Sequence, residues 1–268
     1  MENTDSHELI SVITPVYNNV RDIETCLLSV IRQTYTCLEH WIIDGGSTDG
    51  SLEVIQSYAN KYQHIRWLSE KDEGIYHALN KGINKASGDW LYFLGSDDQL
   101  MNDTVIEEIL TNSEFFNFDI LYGNILLKEN GIIVGEAVDI NALKRGCTHH
   151  QATFIRKSVF DKLGMYNEKY KICADWAFTI KCFQTKNLNL KYIDKIIAIY
   201  STIGFSNTAN GNNPRLSDKN FNRDFFSLFE DFPLWERIQL RINDFLPKYL
   251  NPIRYFLYLK KLFYKTLS

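Results

Sequence analysis

Leu9-Ile10-Ser11-Val12-Ile13-Thr14-Pro15-Val16-Tyr17-Asn18 decides how the chain is read: an aliphatic, partly β-branched run passes into a polar stretch opened by Thr-Pro. A short apolar run ended by turn-forming residues predicts a strand, here Leu9 to Ile13. Beyond it Ile23, Cys26, Leu27, Val30 and Ile31 recur at helical spacing, which predicts one apolar helix face. The alternation then repeats. Glu39–Ile43, Ile65–Leu68 and Trp90–Leu94 read as strands, and Leu52, Ile55, Ala59 and Tyr62, then Ile75, Leu79, Ile83 and Ala86, as helical faces between them. Strands separated by helices need crossover connections, nearly always right-handed, and these give a parallel sheet covered on both faces.

Past Asp103 the rhythm changes. A helix to Leu110, a strand over Asp119–Tyr122 and a hairpin at Asn130-Gly131 are expected, the Asn-Gly pair suiting a type I′ turn. A strand over Gln151–Ile155, helices over Ser158–Leu163 and Cys173–Lys186, and an extended segment Tyr192–Tyr200 complete a mixed second half. Residues 204–220, rich in Gly, Asn and Ser, read as a mobile surface loop. The expected organisation is one α/β domain over 1–232, with a donor half at about 9–124 and an acceptor half at about 125–203, followed by a separate segment 233–268.

Composition narrows the function classes. With 45% hydrophobic and 23% charged residues in 268, and only 14 Gly and 5 Pro, the chain is neither disordered nor fibrous. A net charge of −4 argues against a general nucleic-acid binder. Five cysteines with no CxxC pair fit reduced thiols rather than a zinc site. The polar, acidic start has no secretory pattern, so a cytoplasmic protein is expected. The tail 233–268 differs, with 7 Lys and Arg against 2 Asp and Glu where residues 1–232 have 22 against 31. Its bases are interleaved with Trp, Tyr, Phe and Leu, but no apolar run reaches the roughly 18–20 residues of a spanning helix. Two readings stand: a peripheral segment on an anionic membrane surface, or a helical hairpin packed on protein.

In an open α/β sheet ligands bind beyond the carboxyl ends of the strands. Those ends read Thr14-Pro15-Val16-Tyr17-Asn18, Asp44-Gly45-Gly46-Ser47, Ser69-Glu70-Lys71-Asp72 and Gly95-Ser96-Asp97-Asp98. So acidic a rim holds a phosphorylated ligand only with a cation between, and oxygen ligands suit Mg²⁺ or Mn²⁺. Neither G-x-G-x-x-G nor G-x-x-x-x-G-K-[ST] follows the first strand, which excludes the common helix-terminus and P-loop phosphate sites.

These strand ends, with Gly74-Ile75-Tyr76-His77-Ala78-Leu79-Asn80-Lys81-Gly82-Ile83 and Ser87-Gly88-Asp89-Trp90 in the same order, resemble the family 2 inverting glycosyltransferases of the GT-A fold, of bacterial surface-polysaccharide type. The resemblance runs from Leu9 to about Tyr200. It implies a nucleotide-sugar donor, expected to be a UDP-sugar, and a hydroxyl acceptor on a glycan or lipid-linked glycan. By resemblance, Thr14, Pro15 and Tyr17 border the nucleotide base, Asp44 hydrogen-bonds it, Asp97 faces the ribose or diphosphate, and Asp98 ligates the metal. Asp72 has two readings, nucleotide contact or helix cap. Asp175, in Ile172-Cys173-Ala174-Asp175-Trp176, matches the family's catalytic base, although many members have Glu-Asp where this chain has Ala174-Asp175. His150 is a candidate for acceptor or diphosphate contact, and Trp176 for a sugar platform or the core. A non-processive transferase is the expectation. The alternatives are a catalytically silent nucleotide-sugar or glycan-binding protein, and a sugar nucleotidyltransferase; Thr14 to Val20 lacks the Gly and Lys that the latter needs for a triphosphate.

Overall fold

The computed structural model describes residues 8–202, 218–229 and 236. Its strands are β1 (Ile10–Val16), β2 (Leu38–Asp44), β3 (Ile65–Ser69), β4 (Trp90–Phe93), β5 (Gln99–Leu100), β6 (Ile120–Leu127), β7 (Ile133–Val134), β8 (Thr153–Arg156) and β9 (Leu190–Tyr200). The helices are α1 (Ile23–Ile31), α2 (Ser51–Ala59), α3 (Ile75–Lys85), α4 (Val105–Leu110), α5 (Lys157–Leu163), α6 (Ala174–Gln184) and α7 (Lys219–Asp224). One sheet runs β3-β2-β1-β4-β8-β6-β9-β5, with β7 paired to β6. Its first four strands are parallel; β8 is antiparallel to both β4 and β6, and β6 is parallel to β9.

The period of two along each central strand explains the layers. Ile10, Val12 and Val16 of β1 and Trp90 and Tyr92 of β4 bury on one face, against Ile23, Leu27 and Val30 of α1 and Val105 and Ile109 of α4. Ile13, Leu91 and Phe93 bury on the other, against Leu79 and Ile83 of α3, Phe160 of α5 and Phe178 of α6. Each large side chain so removed from water stabilises the fold by about 1.5–3 kcal/mol. Gly82 allows α3 to come this close: a Cβ there would stand 2.4 Å from Ile13 Cγ2. The register aligns Val16 with Asp44 and Asp44 with Ser69, so the strands deliver their following residues to a common edge.

Three details differ from the sequence reading. The β6–β7 hairpin exists, with Leu127 N donating to Ile132 O, but of the Asn130-Gly131 pair only Gly131 has positive φ (67°). A type I′ turn needs two such residues, and the Asn130 side chain instead accepts a hydrogen bond from Ile132 N. The strand expected from Gln151 begins at Thr153, because His150–Ala152 form a 3-10 turn. Of the expected loop 204–220, residues 204–217 lie outside the described residues, while Asp218 caps α7 and Lys219 and Asn220 open it. The tail 233–268 also lies outside them, except Glu236, which pairs with Lys144 at 2.9 Å. Among the described residues no helix is long and apolar enough to cross a membrane.

Candidate functional site

At the end of β2 the Asp44 carboxylate is fully buried. Ser69 Oγ donates to it at 2.6 Å, and Gly46 N and Ser47 N at 3.2 Å. Gly46, at φ 85°, permits the turn that aims these amides inward. Asp44 thus shapes the 44–47 turn from beneath; with no exposed surface it does not reach a base, and its expected hydrogen bond there is corrected. Above it lie Tyr17, largely exposed, and Asp72: a Cβ on Gly45 would stand 3.1 Å from Asp72 Oδ2 and 3.4 Å from the Tyr17 ring. Asp72 Oδ1 accepts from Lys81 Nζ at 2.7 Å. The N-cap of α3 is Gly74, with no side-chain cap, so of the two readings for Asp72 capping is not the one the structure holds. Pro15 is half-buried near the end of β1, opposite Ile43 of β2. Thr14 is not part of the surface at Tyr17 and Asp72. The alternation of β1 turns Thr14 toward α1, where its hydroxyl meets His40 Nε2 at 2.9 Å and has no exposed surface; its expected place beside a base is corrected.

Beyond β4, Asp97 is half-buried and Asp98 only 2% exposed. Their carboxylates fold over Gly95, where a Cβ would stand 2.5 Å from Asp98 Oδ2 and 3.1 Å from Asp97 Oδ1. Burial, then the charge of Asp97, pushes the Asp98 carboxyl up to about 7, against the opposing hydrogen bond from Ser201 N at 2.8 Å and the influence of His150 and Gln151. Asp97 is also raised, by burial and by the acids Asp22 and Glu129. Two close, poorly hydrated carboxylates around a glycine-sized cradle fit a hard divalent cation. No group of three or more metal-ligating side chains occurs among the described residues. Asp98, the expected metal ligand, would hold such an ion with Asp97 beside it and the remaining ligands supplied from outside the protein.

Asp175 sits in the first turn of α6. His150 Nδ1 lies 2.9 Å from its Oδ2, and Tyr76 OH donates to its Oδ1 at 2.7 Å. Burial works to raise the Asp175 carboxyl, but the bonds from His150, Tyr76 and Trp176 N hold it below the ordinary range. Burial likewise opposes charge on His150, yet Asp175 raises it, helped by Asp98 and Asp97. One imidazole therefore feels the acid pair and Asp175 together. The Tyr200 phenol does too: burial raises it first, then Asp98, Asp97 and, more weakly, Asp175. Trp176, by contrast, is buried, donates Nε1–H to Leu143 O at 2.9 Å and packs on Phe221 and Phe225, the core position of its two readings. A cleft of about 440 Å³, lined by Tyr122, Val134, Val138, Arg145, Cys147 and His149, opens beside the residue preceding His150.

Sequence reasoning does not single out Tyr76, Ser201 or Asp218. Tyr76 stands inside a helical motif, and nothing local marks Ser201 or Asp218, whose partners lie in distant parts of the chain.

Two carboxylates beyond β4 and a third at the start of α6 are thus linked through His150. The family model "Glycosyl transferase family 2" matches residues 11–173, and the chain belongs to that family. It is a glycosyltransferase with the GT-A fold. The PGL/p-HBAD biosynthesis glycosyltransferase of Mycobacterium bovis is 36% identical over 205 residues, covering 75% of this chain and 80% of that protein. Among solved structures, S. aureus TarS 1-349 in complex with UDP-GlcNAc superposes with a TM-score of 0.65 at 22% identity, over 82% of this chain and 64% of that one. The mannosyltransferase PcManGT from Pyrobaculum calidifontis, in complex with GDP-Man and Mn2+, does so with a TM-score of 0.59 at 16% identity, over 73% and 57%.

Proposed function

We propose that the protein is a metal-dependent, inverting and non-processive transferase that moves a sugar from a UDP-sugar to a hydroxyl of a glycan or lipid-linked acceptor in cell-surface polysaccharide biosynthesis. The observation that carries this reading is His150, which is bonded to Asp175 and electrostatically linked to Asp97 and Asp98. His150 stands within electrostatic reach of both the base and the acid pair proposed to face the diphosphate, the proximity an in-line displacement uses. Tyr17 and Asp72 flank the nucleotide base, with Asp44 holding the turn beneath them. Asp175 accepts the proton of the acceptor hydroxyl, which approaches from the cleft beside Cys147 and His149. His150 keeps a positive charge between Asp175 and the departing diphosphate. A divalent cation at Asp98 and Asp97, when bound, supplies neutralisation of that diphosphate.

UDP-GlcNAc in the TarS complex, and GDP-Man with Mn2+ in PcManGT, support a nucleotide-sugar donor and a cation here. The proposed location is the cytoplasmic face of a membrane, with 1–232 as the transferase domain and 233–268 on anionic lipid; the charge asymmetry of the chain supports this. The functional test is a thermal-shift panel of UDP, GDP, UDP-GlcNAc and GDP-mannose, each with Mn²⁺ and with chelator, on wild type and Asp98→Ala. A shift by a uridine ligand that needs Mn²⁺ and is lost in Asp98→Ala agrees with the reading. Equal shifts with and without chelator would discard the metal assignment.

A further inference from the structure

The stretch that leads into Asp175 is gripped from two remote parts of the chain. Tyr76 of α3, 5% exposed, places its hydroxyl 2.5 Å from Ile172 O and 2.7 Å from Asp175 Oδ1, the two oxygens sharing its one proton. Asp218, 3% exposed, accepts from Ile172 N at 2.9 Å and Cys173 N at 3.3 Å through Oδ2, while its Oδ1 caps α7 at Phe221 N. The Ile172 residue is thus held at both its amide and its carbonyl. Cys173, the N-cap of α6, offers no side-chain cap of its own, so these bonds set how the helix begins. One turn beyond Tyr76, Asn80 fastens the same region, donating to Tyr166 O at 2.9 Å and accepting from Tyr166 N at 3.1 Å.

We infer that Tyr76 and Asp218 are positioning residues for Asp175: together they fix the carboxylate in the orientation that meets the acceptor hydroxyl, and so tie the donor-half helix α3 and the segment after 217 to proton removal. This rests on the reading of Asp175 as the base. Tyr76 gives the carboxylate a hydrogen bond that permits one rotamer, and a carboxylate free to turn spends less time in line. Asp218 acts one step further back, through the peptide that carries α6. Neither need touch substrate.

Tyr76→Phe keeps the ring contact with Tyr166, at 5.6 Å between centroids, and deletes only the hydroxyl. Asp218→Asn can still cap α7 through its remaining oxygen, but turns an amide toward the two N–H groups of 172 and 173. The experiment uses the full chain and follows release of UDP from UDP-GlcNAc, or of GDP from GDP-mannose where that is the better donor, with water as acceptor. Each variant is measured alone and combined with Asp175→Asn, with melting curves to confirm folding. The expected result is a loss of kcat of about 10- to 100-fold with donor KM within about twofold. In the Asp175→Asn background, Tyr76→Phe should cost nothing further. Unchanged kcat in Tyr76→Phe, an effect confined to KM, or an equal loss in the Asp175→Asn background each overturns the inference, even if Asp218→Asn does not fold. Release at a near-wild-type rate in Asp175→Asn overturns the underlying assignment of the base instead.

Discussion

His150 Nδ1 stands 2.9 Å from Asp175 Oδ2, and the two side chains hold each other charged against burial. A carboxylate held below its usual range is ionised at neutral pH, ready to accept a proton, but only weakly basic while the imidazolium faces it. Asp175→Asn should therefore bind nucleoside diphosphate as wild type does and lose turnover by about 10²–10⁴-fold, the range for a missing general base. Calorimetric titration with UDP beside a turnover assay checks both halves; near-normal turnover moves the base elsewhere.

The histidines give stability opposite pH dependences on the two sides of neutrality. His40 is buried as the neutral form, its folded value pushed down to about 3 by burial and then by His64. Its contribution is complete above the unfolded value near 6.5 and is lost as pH falls toward 3, by at most about 1.4 kcal/mol per pH unit. His149, lowered to about 4 by burial and by His150, has the same sign. His150 is raised, so its contribution is complete below about 6.5 and is lost as pH rises through its folded value. Denaturant melts from pH 4 to 9 in chelator should show the acid limb flattened in His40→Gln and the alkaline limb in His150→Gln. An acid limb as steep in His40→Gln as in wild type would contradict the first assignment.

Gly82→Ala should lower stability. The new methyl would start 2.4 Å from Ile13 Cγ2 and 3.4 Å from Ile43 Cγ1, between α3 and the sheet. Overpacking costs about 1–3 kcal/mol, against a helix-propensity gain of about 1 kcal/mol. Urea unfolding measures the balance, and equal or greater stability in the variant would mean that α3 has room the structure does not show.

Removing residues 233–268 should release the protein from vesicles containing anionic lipid, the full chain binding less tightly as salt rises, since each basic residue near such a surface contributes about 1 kcal/mol. Equal sedimentation of the two forms with vesicles at low salt would favour packing on protein.

Much of this was legible because chemistry in an open parallel sheet gathers where strands stop, and strand ends are marked by abrupt changes of residue type. Asp44, Asp72, Asp97 and Asp98 all follow such changes, and the spacing of Ile75, Leu79 and Ile83 gave α3 its face. What sequence could not convey was direction. Thr14 stands in the same loop-bound stretch as Tyr17, yet the pleat of β1 sends its side chain to His40 and into the core. Asn130-Gly131 has the composition of a two-residue turn, but β6 and β7 close around a longer one. Asp218 serves Ile172 and Cys173 across more than forty residues, a pairing created by tertiary packing that no local pattern announces.

The most direct measurement is a crystal structure of the full chain with UDP-GlcNAc and Mn²⁺. The account requires the diphosphate against Asp97 and Asp98, the uracil at Tyr17 and Asp72, and the sugar carbon open to Asp175 from the side opposite the leaving oxygen. A nucleotide bound elsewhere, or one whose sugar lies out of reach of Asp175 with His150 turned away from both, would contradict it.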